Sequence, residues 1–170
     1  MLNKLITSKT RLRLLIKFFI SQANRGYLNG LATEFNESTN SIRKELNHLS
    51  EAGYLEKYKD NNKIAYKANT DHPLFDILQK VVFKHLGFEE LVERVLERMG
   101  PVHKILLTGD YAQGLDTGII DVVLIGNQLN TEYIEALEAK VEDVIERKVN
   151  FSLATKPNPN QKNIVLYESN

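Results

Sequence analysis

The stretch TNSIRKELNHLSEAGYLEKY, residues 39–58, decides how the first half of this chain folds. Within it Ile42, Leu46, Leu49 and Ala52 recur at helical spacing, and Asn40, Ser41, Arg43, Lys44 and Asn47 fall between them. That pattern predicts an amphipathic helix over 39–52, its apolar stripe buried and Gly53 at its C-terminal cap. From Tyr54 the period changes to two. Residues 54–59 and 63–68 alternate around the Asx-rich turn Asp60-Asn61-Asn62, which predicts a β-hairpin.

Upstream, Leu12, Leu15, Ile16, Phe19, Ile20 and Ala23 mark a helix over about 8–23, with Ser8 as N-cap and Gly26 as its stop. A short helix follows, with Leu28, Leu31, Ala32 and Phe35 on its inner face, then the polar turn Asn36-Glu37-Ser38. Two short helices joined by such a turn form a helix-turn-helix. The second begins at Thr39 and presents the residue types that DNA recognition needs. Arg43 can grip guanine in a bidentate pair, Asn40 or Asn47 can read adenine, and Ser41 and Lys44 can hold phosphate. A hairpin directly after such a helix is a wing, whose tip offers Lys59, Asn61, Asn62 and Lys63 to the DNA backbone. The plain alternative for each of these residues is a solvated polar surface.

The 39–58 stretch resembles the recognition helix and first wing strand of arsenic-repressor-like winged-helix regulators. The resemblance implies a dimer that binds operator DNA and controls transcription. The metal-sensing branch of that family uses cysteine or histidine clusters. Here there is no cysteine, and His48, His72, His85 and His103 stand singly, so neither metal sensing nor any bound metal or cofactor is expected.

Composition sets wider bounds. The 170 residues suffice for two small domains. The apolar run 14–20 contains Lys17 and is too short to span a bilayer, so the expectation is a cytoplasmic protein with no membrane partner. The net charge of zero conceals an asymmetry. Residues 1–72 carry 12 Lys/Arg against 7 Asp/Glu, whereas 73–170 carry 10 against 15, so that a basic half precedes an acidic one. This suits a first domain that meets a polyanion.

In the second half, Pro73 opens a helix with Leu74, Ile77, Leu78, Val81 and Val82 at helical spacing, running to Leu86-Gly87. Another helix covers about 88–99 and closes at Gly100-Pro101. These helices, 73–100, are expected to form a linker and a dimer interface. Strands are predicted at 102–107 and 119–125, around a turn with Gly109, Gly114 and Gly118. A helix over 132–147 then carries Ile134, Leu137, Val141, Val144 and Ile145 inward. Val149, Phe151 and Leu153 mark a third strand and residues 164–167 a fourth.

The segment LLTGDYAQGLDTGIIDVVLIGN, 106–127, resembles the strand-turn-strand signature of the minimal nucleotidyltransferases. Their motif is Gly-Ser, then Asp-x-Asp on the next strand, which holds Mg²⁺ against nucleotide phosphates. Matched to it, Gly109 keeps the glycine, Asp110 replaces the serine, Ile119 replaces the first aspartate and Asp121 keeps the second. The third carboxylate is expected at 149–153, where this chain has Asn150 and Ser152. The resemblance therefore implies a domain without catalysis, with Gly109, Asp110 and Asp121 as a vestigial pocket and a nucleotide as candidate effector.

The expected whole is an α+β chain. Residues 1–72 form a winged helix-turn-helix, 73–100 a helical bridge and 101–170 a nucleotidyltransferase-like α/β domain. It is read as a sequence-specific DNA-binding regulator and not an enzyme, with double-stranded DNA and a second copy as partners. The alternatives are an active Mg-dependent nucleotidyltransferase with an accessory winged helix, which would require a rearranged site built from Asp110, Asp116 and Asp121, and a protein-interaction module.

Overall fold

A computed structural model describes residues Leu2–Asn170, and the chain is α+β, with seven α-helices and two β-sheets among the described residues. It divides into two compact units, Met1–Val82 and Phe83–Asn170. The boundary falls inside the stretch expected to be a helical bridge.

In the first unit the order is α1 (Lys9–Phe19), β1 (Gly26–Tyr27), α2 (Leu28–Phe35), α3 (Thr39–Glu51), β2 (Leu55–Asp60) and β3 (Lys63–Ala68). Ser8 caps α1, its side chain accepting from the Arg11 amide. The helix stops earlier than its apolar periodicity predicts, with Ile20 as C-cap. Its end is closed by Asn24, a buried side chain whose Nδ2 donates to the Lys17 carbonyl at 2.7 Å, satisfying one of the acceptors a helix terminus leaves open. Ala23 is thereby left outside the helix and exposed. Gly26 is not a stop signal. It begins β1, where an added Cβ would lie 2.9 Å from Leu31 and 3.0 Å from Phe18.

The run Leu14–Ile20 is buried on all sides, including Lys17, whose ammonium pairs with Glu34 at 3.1 Å. The expected one-sided stripe is therefore replaced by a central helix around which α2, α3 and the hairpin gather. On α3, Ile42, Leu46 and Leu49 are buried as predicted, but Ala52 is exposed, because the helix has ended by then and Ala52 is its C-cap. β1, β3 and β2 form one antiparallel sheet in that order. The two-residue strand β1 has no periodicity to reveal it.

Helix α4 (Phe75–Leu86) begins two residues after Pro73, with the Leu74 amide donating to His72 Nδ1. In the second unit α5 (Phe88–Arg98) precedes β4 (Val102–Thr108), a short helix α6 (Gly109–Ala112), β5 (Ile119–Gly126), α7 (Ile134–Ile145), β6 (Lys148–Ala154) and β7 (Ile164–Glu168). The sheet order is β6-β5-β4-β7, with β5 and β6 parallel and the other pairs antiparallel. Ile120, Val122 and Leu124 alternate with Ile119, Asp121 and Val123. The first set is buried with Val149, Phe151 and the helix residues Leu137 and Val141, whereas Ile119 is exposed. Val144, expected inward, is also exposed, since α7 buries only the narrower stripe of Leu137, Val141 and Ile145. Glu138 and Glu142 of α7, one turn apart, accept the Phe151 and Val149 amides and close the free edge of β6.

Candidate nucleic-acid interface

Helix α3 is capped by Ser38, whose Oγ accepts the Ser41 amide at 3.2 Å, and its first turn holds no acid. Its inner stripe is anchored by more than apolar packing. Glu45 is buried and accepts from Arg11 Nε at 2.8 Å and Ser8 Oγ at 3.2 Å, tying α3 to α1. Buried carboxylates persist when they are paired and hydrogen-bonded in this way.

On the opposite face Arg43 and Lys44 both lie three or four residues from Asn40 and from Asn47, and all four are exposed. Arg43 Nη1 donates to Asn40 Oδ1 at 2.9 Å, which steadies the guanidinium while leaving its other donors free. Thr39 is exposed at the head of the same face. Ser41 is exposed too, but its hydroxyl is engaged with Ser38 Oγ at 2.9 Å and it lies on the flank that leads to Glu45. Of the predicted helix residues it is the one drawn into holding the helix end.

The hairpin closes on Asp60 and Lys63 as cross-strand partners, with Asn61 at φ 56 and Asn62 between them. Lys59, Asn61, Asn62 and Lys63 are all exposed. Lys57 joins this set although its chemistry gave no sign of it in the sequence. It lines a groove of about 290 Å³ between α3 and β2 with Asn47, Ser50, Glu51 and Leu55. The available signal was the period-two register, which puts Lys57 on the same strand face as Leu55 and Lys59.

Charge pairing separates the basic residues of this unit into two groups. Arg11, Arg13, Lys17 and Lys67 pair with Glu45, Glu37, Glu34 and Glu56. Among the described residues Arg43, Lys44, Lys57, Lys59 and Lys63 make no ion pair. Lys4, Lys9, Arg25 and Lys80 make none either, and Glu51 of α3 lines the same groove as Lys57, so what marks α3 and the hairpin is that five such cations fall together on these two elements.

The second unit brings Gly109, Asp110 and Asp121 close together, but as a polar turn with few free oxygens. Gly109 has φ +67, and a Cβ there would sit 2.5 Å from Asp121 Oδ2, so only glycine lets the carboxylate tuck beneath the turn. Asp121 Oδ1 accepts from Asn150 Nδ2 at 3.1 Å, and Asp110 Oδ2 from Thr117 at 3.0 Å. Asn150, opposite Asp121 in register, occupies the position where the third carboxylate of a transferase was expected.

Asp116 faces elsewhere. It accepts from the hydroxyl of the buried Tyr111 and from Arg147 at 3.3 Å, while the same Tyr111 oxygen accepts the Gly118 amide at 2.9 Å. Burial would raise the Asp116 carboxyl, but the hydrogen bonds from Arg147 and Tyr111 outweigh it and hold its pKa below the ordinary range. Burial, followed by Asp116, pushes the Tyr111 phenol well up. His85 sits beside this pair, its pKa lowered by burial and by the Arg147 charge. The rearranged site of Asp110, Asp116 and Asp121 therefore does not assemble, and no group of three or more His, Asp or Glu able to hold a metal occurs among the described residues.

No helix among the described residues is long and apolar enough to cross a membrane. No family model matches the chain, and no curated protein or solved structure matches it either.

Proposed function

We propose that this chain is a sequence-specific DNA-binding transcriptional regulator of the cytoplasm. The first unit acts as a winged helix-turn-helix, with α3 in the major groove and the β2–β3 hairpin as a wing along the backbone. The observation that carries this reading is a local concentration of polar donors: Arg43, Lys44, Lys57, Lys59 and Lys63, none of them in an ion pair, share α3 and the hairpin with four exposed amides, Asn40, Asn47, Asn61 and Asn62. Arg43, braced by Asn40, suits a guanine edge, and Asn47 an adenine edge. Lys44, Lys57, Lys59 and Lys63 supply phosphate contacts that give affinity without sequence preference.

The second unit serves this reading as a nucleotidyltransferase-like scaffold without catalysis. Asp121 alone stands at the matched carboxylate positions, with Ile119 and Asn150 beside it, which is too little charge to hold two magnesium ions against a triphosphate. Two copies would bind half-sites about one helical turn apart.

The test is fluorescence anisotropy across a salt series, on DNA selected from a random pool, with the Arg43→Ala/Lys44→Ala double variant alongside. Specific, salt-sensitive binding that collapses in the variant is expected. Absence of any enriched sequence, with variant and wild type alike, would overturn the reading.

A further inference from the structure

Asp60 and Lys63 face each other directly across the hairpin turn. Opposite charges in that position ordinarily attract one another across the strands. Here they form no ion pair. Asp60 instead accepts a hydrogen bond from the Tyr27 hydroxyl, and the Lys63 ammonium lies over the Tyr27 ring, 5.7 Å from its centroid. Tyr27 reaches both because β1 pairs with β3 at Tyr27 and Ala65, and alternation along β3 puts residues 63 and 65 on one face. The hydrogen bond to Asp60 also raises the phenol's pKa above its ordinary value.

Resting on the DNA-binding reading, we propose that Tyr27 is a positioning residue of the wing: it draws the Asp60 carboxylate away from Lys63, which then meets the DNA backbone as an uncompensated cation. Asp60 directly precedes the turn residues, and paired with Lys63 it would offset the charge that the tip offers. The ring holds the ammonium by a weak cation–π contact that a phosphate readily replaces. The partner at this point is a phosphate, not a base, because an ammonium is a point charge without the bidentate geometry that reads sequence.

The experiment measures the salt dependence of binding to the selected DNA for wild type, Tyr27→Phe, Lys63→Ala, the Tyr27→Phe/Lys63→Ala double variant and the Tyr27→Phe/Asp60→Asn double variant. Loss of one phosphate contact lowers the slope of log K against log salt by about 0.9. Lys63→Ala and Tyr27→Phe should each lower it by that amount, and combining them should lower it no further. Asp60→Asn should restore the slope in the Tyr27→Phe background, which a merely structural role for Tyr27 would not allow. An unchanged slope in Tyr27→Phe, additive losses with Lys63→Ala, or no rescue by Asp60→Asn would overturn the proposal while leaving the DNA reading intact. Absence of salt-dependent binding by the wild type would instead overturn that reading. A measurement without DNA separates the two as well: amine labelling of Lys63, relative to Lys59, should fall in Tyr27→Phe and recover with Asp60→Asn.

Discussion

Replacing Tyr111 by phenylalanine removes one oxygen from the interior of the second unit and asks what holds the 110–118 loop in place. The ring is fully buried and would remain so. Its hydroxyl donates to Asp116 and accepts from the Gly118 amide, so the substitution breaks two hydrogen bonds and strands a backbone donor. A net hydrogen bond contributes about 1 kcal/mol, and a stranded buried donor costs about 1–3 kcal/mol. Asp116 keeps Arg147 as a partner and its side chain is 26% exposed, which places the expected loss near the low end. About 2 kcal/mol is the working figure, equivalent to a fall in Tm of roughly 10 °C for a unit of this size. Urea unfolding followed by circular dichroism gives the energy, and hydrogen exchange at the Gly118 amide assigns the loss to this loop. A loss below about 0.5 kcal/mol with unchanged Gly118 exchange would refute the reasoning, since about 1 kcal/mol is expected from one bond alone.

Other perturbations probe different parts of the chain. Gly87→Ala should destabilise the second unit by about 2 kcal/mol or more, since at φ +80 its Cβ would lie 2.4 Å from Ile145 Cγ2; a thermal melt within a degree or two of wild type would contradict this. Gly30→Ala in α2 meets nothing within 4 Å and should stabilise the first unit by about 0.5–1 kcal/mol, read from the urea midpoint. Because the pKa of His85 is lowered in the folded state, the unfolded chain takes up its proton first as pH falls below about 6.5. Stability should therefore decline from that point downward, and His85→Asn should flatten that part of the Tm profile; identical profiles would refute the assignment.

The amino-acid order alone determined the elements with a sustained period. Ile42, Leu46 and Leu49 set α3, the alternation around Asp60-Asn61-Asn62 set the hairpin, and Ser8 announced the start of α1. The exposed face of α3 was legible for the same reason, since Asn40, Arg43, Lys44 and Asn47 are the complement of a buried stripe that periodicity defines. Tertiary structure decided what depends on partners distant in sequence. The end of α1 was set by Asn24 turning back to the Lys17 carbonyl, against an apolar pattern that continued. Strand β1 exists because β3 pairs with Gly26 and Tyr27, and two residues carry no period of their own. Which cations are free to meet a polyanion was decided the same way, by carboxylates from other elements: Glu45 reaches Arg11, Glu37 reaches Arg13, and Tyr27 takes Asp60 from Lys63. Periodicity reports the side of an element that is buried. Charge compensation is a sum over neighbours in space, and only the fold supplies those neighbours.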